Sequence, residues 1–167
     1  MNKTRLLTTM AVFIAIGTLG SQLIWFPAGV AKAYPVQHAI NVMAAIMLGT
    51  GPAVIIAFVI GLLRNVLGLG SVLAFPGGMI GAFLAGILYK NFRHNIAAAI
   101  GEVLGTGVIG ALFAVPFAKI LMGTAFGAMF FIPPFLVSSI TGSFIGIFIV
   151  SRINHKQIID HNIKGGI

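Results

Sequence analysis

The chain contains no cysteine and only two acidic residues, Glu102 and Asp160. Without cysteine there is no disulfide, no thiol nucleophile and no thiolate metal ligand. Two acids, one of them in the C-terminal tail, exclude catalysis by paired carboxylates within one chain. The four histidines are dispersed, so a metal site, which needs clustered ligands, has no support. The phosphate-binding P-loop, the H-E-x-x-H pair and the G-x-S-x-G elbow are also missing. These absences disfavour an enzyme, imply no cofactor, and leave the chain without an ATP site to power transport by itself.

Charge of either sign is scarce. Charged residues make up 7% of 167 and apolar residues 59%, with a mean hydropathy of +1.10. A soluble domain carries about 25% charged residues. So few charges do not cover a water-facing surface, and the chain reads as an all-α integral membrane protein in a lipid bilayer. Ten Lys and Arg against two acids give a net charge of +8. They are scattered singly and at segment ends, which suits the inside-positive bias of membrane proteins rather than nucleic-acid binding.

What is abundant is long apolar sequence. A spanning helix needs about 20 apolar residues. Residues 6–26, 51–67, 95–118 and 127–150 meet or approach that length, and 36–49 and 76–90 are shorter candidates punctuated by Pro35, the Gly49–Pro52 turn and Pro76. The N-terminus resembles a signal peptide in its basic start, but the apolar run continues to Phe26 and further spans follow, so a retained first helix is expected. Six spans put both ends on one side. With the N-terminus inside, Lys3, Arg5, Lys90, Arg93, Arg152, Lys156 and Lys164 lie inside, and Lys32, Arg64 and Lys119 outside. The bias favours both termini in the cytoplasm. The expected organisation is a transmembrane domain over 1–153 and a cytoplasmic tail over 154–167. Small residues four apart (Gly77/Gly81, Gly78/Ala82, Ala82/Gly86, Gly101/Gly105, Gly142/Gly146) predict close helix packing. Ala11 and Ala15 repeat the spacing.

Against this background the stretch AYPVQHAINV, residues 33–42, is conspicuous. Gln37 and Asn41 are four apart and His38 and Asn41 three apart, so they share a helix face. Polar groups in hydrocarbon are costly and mark functional sites by default. Counting along the helices places Gln37, His38 and Asn41 in the outer third of the second span, with Arg64 and Asn65 near the outer end of the third. Tyr34, Trp25 and Phe26 supply aromatic surface nearby, the make-up of a small-molecule pocket. The competing readings are plain: Arg64 and Lys32 snorkelling to headgroups, Tyr34 and Trp25 as interfacial belt residues, His38 and Asn41 tying helices together.

Glu102 is the sole acid within a span and lies about 10 Å from the inner end of its helix, whereas Arg64 lies about 18 Å from that boundary, counted at 1.5 Å per residue. A direct pair between them is not expected. Glu102 is protonated, bonded to Thr106, turned to a partner subunit, or the floor of the pocket. Ser138, Ser139 and Thr141, following a break at FIPPF, reach a ligand or bond their own helix's carbonyls.

AYPVQHAINV, GLLRNVLGLGSVLAFPGGMIGAFLAG, GEVLGTGVIGALFAVPFAKILMG and IPPFLVSSITG together resemble the ThiW family, over most of residues 5–150. The resemblance implies a substrate-binding S-component of an energy-coupling factor transporter in a prokaryotic plasma membrane, with six helices and cytoplasmic ends. It implies capture of a thiamine precursor, hydroxyethylthiazole or a close relative, and delivery through a transmembrane coupling protein and two cytoplasmic ATPases. It also implies that the loop over 27–36 gates the pocket and that Ala11 and Ala15 face the coupling protein. The substrate-binding set expected from residue depth is Tyr34, Gln37, His38, Asn41, Arg64, Asn65, Glu102 and Ser139, with a neutral ligand favoured over a phosphorylated one.

Overall fold

In the computed structural model the described residues are 2–28, 31–70, 72, 74–123 and 127–164, the stretch 154–164 by backbone alone. Helix α1 runs Lys3–Leu23, and its first turn is closed by Asn2, whose side chain accepts from the Arg5 N–H at 2.9 Å. The expected helical run to Phe26 is corrected here. The helix stops at Leu23, and Phe26–Ala28 (β1) pairs antiparallel with Ala31–Ala33 (β2), Phe26 opposite Ala33. Trp25 and Phe26 therefore do not close a helix. Trp25 is exposed, with the Lys32 ammonium 4.0 Å from its ring centre.

Helix α2, Pro35–Leu48, begins on Pro35, whose missing N–H costs nothing in the first turn. Gly49 alone joins it to α3, Thr50–Val66, at φ +89°, a backbone region open to glycine. The turn expected over Gly49–Pro52 is thus a single residue. Helix α4 spans Ala74–Phe92. Helix α5, Asn95–Glu102, runs directly into a π-helical segment, Val103–Gly110, and then into α6, Ala111–Met122. Helix α7 extends over Ala128–Lys164. The expected break at FIPPF is absent: Pro133 and Pro134 lie inside α7 and each removes one ladder donor, yet the helix continues. It also passes position 153 without interruption.

Lys3–Leu23, Asn95–Leu121 and Ala128–Ile153 are long and apolar enough to cross a membrane, while Pro35–Leu48 and Thr50–Val66 are shorter apolar helices. Helix α2 lies at the centre, packed on α1, α3, α4, α5 and α7. The main apolar core (Phe13, Ile40, Val42, Ile56, Ile60 and Val150 among its members) surrounds it.

Glycines set how closely the central helices approach. A Cβ on Gly105 would lie 2.6 Å from the Gly81 Cα, and one on Gly146 would lie 2.9 Å from the Ala39 carbonyl oxygen. The expected close-packing pairs are therefore real contacts between α4 and the π segment and between α2 and α7. Lipid offers helices no hydrophobic gain on association, so such approach is what holds them.

Candidate functional site

The polar residues of α2 do not face lipid. Gln37, His38 and Asn41 are buried, as are Arg64, Glu102 and Thr106. They form two linked groups along one face of α2.

The first group is centred on Glu102, the last residue of α5, which is fully buried. Its Oε1 lies 2.8 Å from His38 Nδ1, accepts from Asn41 Nδ2 at 3.1 Å, and lies 2.8 Å from the Thr106 hydroxyl. With its proton on Nδ1, His38 donates. Asn41 Nδ2 also donates to the Gly78 carbonyl at 3.1 Å, and the Thr106 hydroxyl reaches the Gly77 carbonyl at the same distance. The glycines of α4 are what let these side chains in: a Cβ on Gly81 would lie 2.6 Å from Glu102 Oε2, and one on Gly78 would lie 2.7 Å from Gln37 Nε2. The π segment begins immediately after Glu102 and carries Thr106 one turn on. Such segments recur at functional sites.

The second group is centred on Arg64, in the last turn of α3. Its Nη1 donates to Gln37 Oε1, its Nη2 to the Leu69 carbonyl at 3.3 Å, and its guanidinium lies 4.3 Å from the centre of the Tyr34 ring. Gln22, at the end of α1, donates to the same Leu69 carbonyl at 3.1 Å. The Tyr34 backbone N–H donates to Ser138 Oγ at 2.8 Å, fastening the end of the hairpin to α7.

Several expectations change at this point. Arg64 is 4% exposed, so it does not snorkel to headgroups. Glu102 does not face a partner subunit. It does bond Thr106, and no pair forms with Arg64. The depth count put His38 and Asn41 well above Glu102. In the structure they touch it, because α2 has only 14 residues and its first residue, Pro35, is already buried. Asn65 stands apart, its amide donating to the Gly61 carbonyl at 2.8 Å. Ser139 and Thr141 bond carbonyls of their own helix. Phe75 packs edge-on against Phe58, ring centres 5.4 Å apart. Sequence reasoning missed the carbonyls of Gly77, Gly78 and Leu69, and the roles of Gln22 and Ser138. The PGG run at the head of an apolar stretch was the one signal for the first two.

Among the described residues the His38–Glu102 contact is the one ion-pair geometry, and no group of three or more His, Cys, Asp or Glu gathers to hold a metal. Arg64 is a buried cation held by neutral groups. Three buried atoms here have no partner: Asn41 Oδ1, Glu102 Oε2 and Arg64 Nε. Each such atom costs about 1–3 kcal/mol, and their concentration in one place points to an external partner for them.

A second concavity, about 460 Å³, lies between α5, the π segment and α7, lined by Ile96, Ile100, Leu104 and Phe144 among others. Its wall is apolar and shares no residue with the polar groups.

The family described as thiamine-precursor transporter protein (ThiW) matches residues 7–156. No curated protein and no solved structure matches the chain.

Proposed function

The chain belongs to the ThiW family of thiamine-precursor transporter proteins, and from that premise we propose that it is the substrate-capture subunit (S-component) of an energy-coupling factor importer. In this reading it takes hydroxyethylthiazole from outside the cell and releases it inwards through a transmembrane coupling protein and two ATPases. The observation that carries the reading is the buried network of His38, Asn41, Glu102, Gln37 and Arg64, which holds three of the five unpartnered buried side-chain atoms among the described residues. A purely structural network would be expected to satisfy its own atoms.

The membrane arrangement proposed is six crossings with both ends in the cytoplasm of a prokaryotic cell. Arg64, being buried, leaves the loop-charge count, so the outer side retains Lys32 and Lys119 against Lys3, Arg5, Lys90, Arg93, Arg152, Lys156 and Lys164 inside, a stronger bias. Helix α2 covers about 21 Å at 1.5 Å per residue, short of the roughly 30 Å hydrocarbon core. The hairpin β1–β2, which packs on α7, and Tyr34 at the start of α2 form the gate. Residues 154–167 are the cytoplasmic tail. Ala11 and Ala15 lie exposed on α1 and supply the close-packing face for the coupling protein.

Calorimetric titration of the purified chain with hydroxyethylthiazole, thiamine and riboflavin tests the capture role. Micromolar or tighter binding of hydroxyethylthiazole is expected, and silence toward all three would leave the network with a structural role. Because the chain lacks cysteine, Asn2→Cys and Ser151→Cys each give a single labelling site. Both are expected to react with an impermeant thiol reagent only in inside-out vesicles.

A further inference from the structure

The apolar concavity of about 460 Å³ is a trough between two helix faces. Ile96, Ile100 and Leu104, spaced four apart, form one wall, and Ile140, Phe144 and Ile147 form the other. All but Ile147 are exposed, so the trough opens onto whatever surrounds the helices, which for a spanning chain is lipid. Ile96 to Leu104 covers about 12 Å at 1.5 Å per residue. One leaflet supplies about half of the roughly 30 Å hydrocarbon core. The trough therefore matches the depth of one leaflet and is too short to seat a spanning helix from a partner.

Its two ends differ in charge. A Cβ on Gly107 would meet Leu136 and Ser139, while residues before Gly107 share the trough with residues after Ser139. The two elements therefore run antiparallel, and that register carries Arg93 and Arg152 to the same end, where α5 begins and the apolar span of α7 stops. Both arginines are exposed, as is Lys90 at the end of α4. Phe144, Phe148 and Arg152 follow one another four apart along α7. The Arg152 guanidinium lies 5.0 Å from the centre of the Phe148 ring, so it lies back along the helix toward the trough. Between Lys90 and Arg152 the one acid is Glu102, buried against His38. This end is positive and uncompensated.

We propose that the trough holds an acyl chain of an anionic phospholipid from the adjoining leaflet, with the lipid phosphate on Arg93 and Arg152. Arginine presents two N–H groups at once to phosphate oxygens, and basic pockets between membrane helices take anionic headgroups. A zwitterionic lipid offers the same phosphate together with a cation that the two arginines repel. On the topology proposed above the leaflet is the cytoplasmic one. The site is separate from the Glu102 network and does not depend on what that network binds.

The test is native mass spectrometry of the full chain in detergent, with phosphatidylglycerol and phosphatidylcholine of identical acyl chains added in turn. It compares the wild type, the double variant Arg93→Gln/Arg152→Gln, and Ile140→Trp, which fills the trough. Each basic residue beside an anionic headgroup contributes about fivefold, so the wild type is expected to retain one phosphatidylglycerol with at least about 10-fold preference over phosphatidylcholine. The double variant is expected to bring the two lipids within about twofold, and Ile140→Trp to lose the retained lipid. Both arginines are exposed, so the double variant decides the matter even if Ile140→Trp does not fold. Equal retention of the two lipids by the wild type overturns the proposal, and so does a preference that survives the double variant. Retention by folded Ile140→Trp at the wild-type level also overturns it, by placing the lipid elsewhere. A lipid-free wild-type dimer that Ile140→Trp abolishes gives the trough to a second copy of the chain instead. Hydroxyethylthiazole titration of the double variant is expected to match the wild type, which keeps this outcome distinct from that of the capture reading.

Discussion

Helices α1 and α2 are consecutive and both rich in apolar residues, yet they occupy opposite situations. Ten of the 14 residues of α2 are buried, whereas α1 buries Met10, Phe13, Gly17, Thr18 and Ser21 out of 21. Helix α1 exposes Leu7, Val12, Ile16, Leu19 and Leu23, and Ala11 and Ala15 share that exposure. In a membrane, hydrophobicity does not separate inside from outside, because lipid is as apolar as leucine. The separation lies in where polar side chains are tolerated: α2 carries Gln37, His38 and Asn41 because protein surrounds it. On the proposed reading, the buried helix takes the ligand and the exposed one is the docking face.

Substitutions that test this division can be ordered by their expected effect on capture. The largest is Gly105→Leu, which forces a side chain into the Gly81 backbone and is expected to abolish monodisperse protein on gel filtration. Glu102→Ala leaves His38, Asn41 and Thr106 without their common acceptor. It is expected to eliminate ligand binding and to cost about 3 kcal/mol of stability, read by thermal unfolding in nanodiscs. His38→Ala and Asn41→Ala are expected to weaken binding at least about 10-fold while the variants still assemble with the coupling protein, as judged by co-purification. Ala11→Trp and Ala15→Trp reverse the pattern, with affinity within about twofold of wild type and uptake into cells blocked. Normal uptake in both would take the docking role from α1. Lys32→Gln loses only an exposed contact with Trp25, worth about 0.5–1 kcal/mol, and is expected to shift affinity by a few-fold at most.

Much of this was legible in the sequence because apolar run length and glycine placement act locally. The span read as 51–67 is the helix Thr50–Val66, and Gln37, His38 and Asn41 do share one buried face. Other features were hidden for physical reasons. Three-residue strands carry no periodicity, so the hairpin at 26–33 looked like the end of α1 and a loop. Nothing in VLGTGVIG distinguishes π from α winding. Depth counted from helix ends failed for His38 and Asn41 because Pro35, the first residue of α2, is already buried. Carbonyl partners such as Gly78 and Leu69 carry no side-chain signal at all.

A structure of the chain bound to hydroxyethylthiazole tests the central claim most directly. The account predicts ligand atoms within about 2.7–3.2 Å of the Asn41 and Glu102 side chains, between α2, α4 and the π segment. Ligand lodged instead in the apolar concavity between α5 and α7, with the Glu102 network unchanged, would contradict it.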